Sequence, residues 1–153
     1  MPTPSKLFSA VLLAALAWFI GELIVREVLP EGTRVGYLRE ALAFLAFFVG
    51  WIVIGKAATG PTGRGERVTV VLTAGIGAAL IGALLAILLH SFGKMIQISL
   101  TGKYTELGRA VSATLSFIWD DVQILLVPIV GGTWFLGAAV IGLLAGIVGR
   151  RMP

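Results

Sequence analysis

Four long stretches of this chain are nearly free of charge, and they leave little choice about where it can fold. Leu7 to Val25 is 19 residues carrying only Glu22, near its end. Ala41 to Gly55 is 15 uncharged residues between Glu40 and Lys56, and Val68 to Leu89 is 22 between Arg67 and His90. Val122 to Gly149 is 28 residues without a charge. About 20 apolar residues cross the ~30 Å hydrocarbon core of a bilayer as a helix, because a helix satisfies its own backbone hydrogen bonds where no water can. The second run rises only ~22 Å. Arg39 and Lys56 can snorkel at its ends, however, and Tyr37 and Trp51 can anchor at the headgroup level, so it too reads as a span. The fourth is too long for one upright helix. Pro128 and the Gly131–Gly132 pair are expected to break it, leaving residues 129–148 to span.

Between the third and last runs the pattern changes. Val111, Leu115, Ile118, Val122 and Leu126 share one helical face, and Ser112, Ser116, Asp120 and Gln123 share another. This predicts an amphipathic helix over 111–127, lying in the interface or packed on the bundle. As a fifth span it would bury two adjacent aspartates, which is costly. Asp121 departs from the polar face and is expected at a helix edge. The expected architecture is a single all-α membrane domain with about four transmembrane helices, at 7–25, 41–55, 68–89 and 129–148, and an amphipathic helix before the last.

Composition agrees and narrows the function classes. Hydrophobic residues make up 58% of the chain and charged residues 13%, about half the charged share of an ordinary globular domain. That excludes a soluble enzyme, a disordered linker and a nucleic-acid-binding module. The net charge of +4 resides in short loops beside apolar runs, where membrane topology and anionic headgroups account for it. With no cysteine, disulfides, iron–sulfur ligation and thiol chemistry are excluded. The single histidine, His90, cannot form a usual zinc site without several carboxylates beside it. The loop from Ala57 to Arg67 is rich in glycine but lacks the phosphate-binding pattern. No catalytic residues, cofactor or metal are expected.

The start, with Lys6 and Ala15-Leu16-Ala17, could pass for a signal peptide; the apolar run continues unbroken to Val25, so an uncleaved first helix is expected. Leu29-Pro30-Glu31-Gly32-Thr33 reads as a turn. Four spans put both ends of the chain on one side, with Lys6, Lys56, Arg64, Arg67, Arg150 and Arg151. Arg26, Arg34, Arg39, Lys94, Lys103 and Arg109 fall on the other. The basic count is even, and seven of the eight acids lie with the second group. The compact basic cluster and the Arg150–Arg151 pair favour cytoplasmic N- and C-termini.

Small residues recur at steps of four: Ala74, Ala78, Gly82 and Ala86 in the third run, flanked by Gly75, Ala79 and Ala83, and Ala138, Gly142 and Gly146 in the fourth. Such stripes let helix backbones approach closely in lipid. They serve either the inside of one bundle or a homo-oligomer or larger membrane complex.

Few polar residues are candidates for chemistry. Glu22 and Arg26 form a favourable i, i+4 pair near the end of the first span, read as an interfacial ion pair or as an ion site. His90 directly follows the third run, as a hydrogen-bonded boundary residue or a proton carrier. Asp120 and Asp121 mark a water interface or bind a cation. No ionisable residue falls mid-span, which disfavours a coupled transporter. No nucleophile–base pair is recognisable.

The ordered series Met1-Pro2-Thr3, Lys6-Leu7, Ala15-Leu16-Ala17-Trp18-Phe19, Leu29-Pro30-Glu31-Gly32-Thr33, Gly36-Tyr37 and Gly50-Trp51-Ile52-Val53-Ile54-Gly55 resembles the TrgA-type tellurite-resistance membrane proteins of alphaproteobacteria. Ser91-Phe92, Met95, Ser99, Tyr104 and the glycine-rich last helix ending in Arg150-Arg151-Met152-Pro153 extend the resemblance over nearly the whole chain. Thr105 stands where the family often has an acid. The resemblance implies a multi-pass protein of the bacterial inner membrane that contributes to tellurite tolerance, and it transfers no site residues. Without cysteine the chain cannot reduce tellurite by its own thiols. The alternatives are a structural or accessory subunit of a larger membrane complex and, third, an oxyanion channel or exporter, which would need a cationic lining at mid-depth.

Overall fold

The computed structural model describes residues 3–30, 36–60, 67–101 and 107–151. Most of the Pro30–Thr33 turn, the glycine-rich loop with Arg64 and Glu66, and Lys103, Tyr104, Thr105 and Glu106 lie outside the described residues. The described residues form five helices: α1 (Pro4–Val28), α2 (Leu38–Thr59), α3 (Val68–Leu100), α4 (Leu107–Leu126) and α5 (Pro128–Arg151). No strand occurs among the described residues. All but α4 are long and apolar enough to cross a membrane, and the chain is a helical membrane protein.

Helix ends follow local chemistry more than charge. Pro4 and Pro128 each occupy a first helical turn, where a missing N–H costs nothing and φ is already set. Charged residues did not end the helices where the sequence suggested. Arg39 and Glu40 lie in the first turn of α2 and Lys56 in its last, so that helix runs 22 residues and spans comfortably. His90 does not end α3 either. Nothing between it and Leu100 breaks a helix, and α3 continues for 33 residues, ~50 Å at 1.5 Å per residue.

The break before the last span lies only at Val127–Pro128. Gly131 and Gly132, expected to share in it, are helical. Gly131 lets the Leu125 carbonyl approach where any β-carbon would sit. Helices α4 and α5 therefore run in the same direction, both antiparallel to α3, joined at a proline kink.

Close backbone approaches fix the bundle. α1 lies antiparallel to α2: a β-carbon on Gly50 would lie 2.8 Å from the Ser9 carbonyl oxygen, and one on Gly55 would lie 2.8 Å from the Lys6 Cα. The Ser9 hydroxyl donates to the Gly50 carbonyl at 3.0 Å, where α2 opens into one wide turn over Gly50–Ile54. Side-chain hydroxyls commonly re-satisfy such irregular turns in membrane helices. α3 meets α5 through glycines on both: Gly75 on Ala138, Gly142 on Val71 and Gly75, and Gly146 on the Val71 side chain. Of the predicted stripe, Ala78 and Gly82 are buried with Gly142 and Gly146, all inside this one chain. Ala74 is only half-buried; its neighbour Gly75 holds the contact, so the contact line runs Val71, Gly75, Ala78–Ala79, Gly82.

Trp134 closes this interface. Its ring lies over Gly82 and its indole N–H donates to the Ala79 carbonyl at 2.9 Å. Trp134→Phe is expected to lower stability by about 1 kcal/mol, the worth of one such hydrogen bond, read as a reduced Tm in detergent without change of helix content.

Candidate functional site

The antiparallel arrangement sorts the charges to two ends. At one end lie the start of α1, the end of α2, the start of α3 and the end of α5, with Lys6, Lys56, Arg67, Arg150 and Arg151. All the described Asp and Glu residues lie at or beyond the other end: Glu22, Glu27, Glu40, Asp120 and Asp121. The predicted candidates lie toward this acidic end, where all but Asp120 join one of two clusters.

The first cluster joins α1 to α2. Glu22 accepts from the Arg26 Nε at 2.6 Å, as the i, i+4 spacing foretold, and also from Arg39. Arg39 reaches Glu22 because Gly21 is bare: a β-carbon there would lie 2.9 Å from the Arg39 Cγ. The Arg39 guanidinium also sits 5.9 Å over the Trp18 ring, within cation–π range. Nothing local in the sequence pairs Glu22 with a residue 17 positions away. The only hint was that both belong to the same end.

The second cluster joins the tail of α3 to α4. Asp121 is 7% exposed. Its Oδ2 accepts from the His90 Nδ1 and from the Ser91 hydroxyl, each at 2.9 Å. Its Oδ1 lies 3.6 Å from the Lys94 Nζ, which itself sits 5.7 Å over the Phe117 ring. Asp121 is therefore not at a helix edge. It faces inward, and its departure from the polar face of α4 was the signal for that. Asp120, one residue earlier, points to solvent or headgroups and is exposed. Burial raises the Asp121 carboxyl pKa, but the His90 hydrogen bond and charge, the Ser91 hydroxyl and Lys94 outweigh it and hold it below the ordinary carboxylate range. The carboxylate stays ionised because two hydrogen-bond donors and a nearby ammonium stabilise the charged form.

The cluster joins a carboxylate, an imidazole and a hydroxyl, but not in a catalytic order. The Ser91 hydroxyl donates to Asp121 and not to His90, so no serine–histidine bond of the kind that activates a nucleophile is made within this cluster. Asp121 acts as an acceptor hub clasping α4 to α3. Sequence reading placed His90 and Asp121 separately and passed over Ser91 and Lys94. Their spacing (90, 91, 94 on one side of a helix) becomes a signal only once α3 is known to continue past His90.

No family model, curated protein or solved structure matches the chain.

Proposed function

We propose that the chain is a multi-pass inner-membrane protein that contributes to tellurite tolerance without catalysing a reaction, through its bundle and what that bundle holds in place. The resemblance of the ordered sequence blocks supports the tellurite part. The placement of the polar groups supports the non-enzymatic part, and this observation carries the reading. Among the described residues, the carboxylates that are not exposed, Glu22 and Asp121, are each held by a basic partner on a neighbouring helix, Arg39 for Glu22 and His90 with Lys94 for Asp121, and so tie helices together.

The test is survival on tellurite, together with cell-associated tellurium, in a clean deletion and its complemented strain. Lower survival with higher accumulation is expected if the protein limits net entry. Lower survival with unchanged accumulation points to protection through a partner. No change in either removes the tellurite role.

One observation favours the second reading, an accessory subunit of a larger membrane complex. The tail of α3 and helix α4 form a hairpin with exposed apolar stripes, Phe92, Ile96 and Leu100 on one helix and Val111, Leu115 and Trp119 on the other. Copurification with a defined partner in mild detergent, lost on substituting Leu115 and Trp119 by serine, would establish that reading.

A further inference from the structure

The tail of α3 and helix α4 leave the bundle together, and the surface of this hairpin is sorted by side. Ser91 and Lys94 turn α3 toward α4, and Phe117 and Asp121 turn α4 toward α3. At ~100° per residue, these inward faces fix the direction of the other side chains. Because the two helices are antiparallel, Phe92 of α3 comes to the same side of the hairpin as Val111 and Leu115 of α4. Gln97, Ser116 and Asp120 come to the opposite side, and all six are exposed. The hairpin is amphipathic as a unit, with Trp119 exposed at the outer edge of α4 between its two sides.

The apolar side continues a surface that belongs to a span. Leu80, Leu84, Leu88, Phe92, Ile96 and Leu100 follow one another along α3 at steps of four, all exposed, with no polar residue in the row. The first three lie in the apolar part of the span, where an exposed flank faces acyl chains. The last three carry the same row into the tail. Length agrees with a lipid environment for the whole row. α3 is ~50 Å long, against ~30 Å of hydrocarbon and ~40–45 Å of bilayer including headgroups. Upright from Val68, it would hold Ile96 and Leu100 in water. At a slant of ~30°, within the range of membrane helices, it rises ~43 Å and stays inside the full thickness.

We propose that the hairpin is seated by its apolar side on the lipid of the membrane that the chain spans, at the boundary of headgroups and acyl chains, with α3 slanted across the bilayer. Phe92, Val111 and Leu115 dip toward acyl chains, Trp119 lies at the headgroup level, and Gln97, Ser116 and Asp120 face water. The Asp121 clasp sets the rotation of α4 that keeps the apolar residues of both helices on one side. This seating assigns the stripes to lipid rather than to a partner protein, and it is independent of the tellurite reading.

The experiment is spin-label accessibility in the full chain reconstituted into phosphatidylcholine vesicles. The chain has no cysteine, so Phe92→Cys, Leu115→Cys, Gln97→Cys and Ser116→Cys each carry a label at one position. Oxygen concentrates among acyl chains, and a water-soluble nickel chelate is excluded from them. Collisions with oxygen should exceed those with nickel at positions 92 and 115, and the ratio should invert at 97 and 116. Nickel access at all four would place the hairpin in water, and oxygen preference at all four would make α4 a fifth span; either result overturns the seating. Shielding of 92 and 115 from both reagents, with dipolar broadening that unlabelled chain removes, would put a second copy on this side and overturn it. Copurification of another protein that is lost with Leu115→Ser and Trp119→Ser would give the stripe to that partner and overturn it too. Should Phe92→Cys or Leu115→Cys fail to fold, Val111→Cys reports the apolar side. Quenching of the unlabelled chain is the second measurement: phosphatidylcholine brominated near the headgroup should remove more fluorescence from the wild type than from Trp119→Phe, and equal absolute losses reject the proposal.

Discussion

Gly142→Ala is expected to destabilise the bundle by about 2–3 kcal/mol, in the range for inserting a methyl into a well-packed interface. The new β-carbon would lie far inside van der Waals contact of the Val71 carbonyl oxygen and 3.2 Å from the Gly75 Cα. Both are backbone atoms of a helix, which cannot rotate aside as a side chain would, so α5 must move off α3. Helix propensity works the other way, favouring alanine by about 1 kcal/mol, and the close approach outweighs it. Gly132→Ala supplies the control: a β-carbon there meets nothing within 4 Å. It should be neutral or stabilising by about 0.5–1 kcal/mol. Equilibrium unfolding in mixed micelles, followed by the fluorescence of tryptophans including the interfacial Trp134, compares the two. Similar effects from both would contradict the observed contact between α3 and α5.

Asp121→Asn is expected to loosen α4 from the tail of α3 while leaving the four spans intact. Breaking a fully buried charge pair costs about 3–5 kcal/mol. Here His90 and Lys94 are 40% and 38% exposed and rehydrate once released, so about 1–2 kcal/mol is the expected loss. Hydrogen exchange of the α4 amides should speed up by about tenfold, with those of α1 and α5 unchanged. Asp120→Asn, on an exposed side chain, should stay within about 0.5 kcal/mol of wild type.

Acid should act on the same clasp. The Asp121 pKa is lower in the clasped state than in the separated one. The clasped state therefore binds fewer protons, and its extra stability is present above the ordinary carboxylate value near ~4. It is lost as pH falls from there through the lower clasped value. Exchange of α4 in the wild type should accelerate over that acid window, whereas in Asp121→Asn this added acceleration should be missing.

The sequence alone determined the membrane class, the number of spans and most of their positions, because length, apolar continuity and the energetics of bilayer insertion are local properties. It also showed that Asp121 departs from the polar face of its helix, though it read that position as a helix edge, and that Glu22 would meet Arg26, since the helical period is short-range. The reach of α3 beyond His90 was hidden because a charged or polar residue ends an apolar run without ending a helix. Gly131 and Gly132 were misleading for a related reason: glycine weakens a helix only modestly, and the nearby Leu125 carbonyl needs the space it leaves.

Tertiary structure decided the rest. Arg39 on Glu22, Ser91 and Lys94 on Asp121, Gly75 rather than Ala74 at the α3–α5 contact, and Lys6 against Gly55 all depend on which helices are neighbours and on their rotation. Those are fixed by where glycines let backbones touch, a many-body packing outcome that no periodicity along one strand of sequence contains.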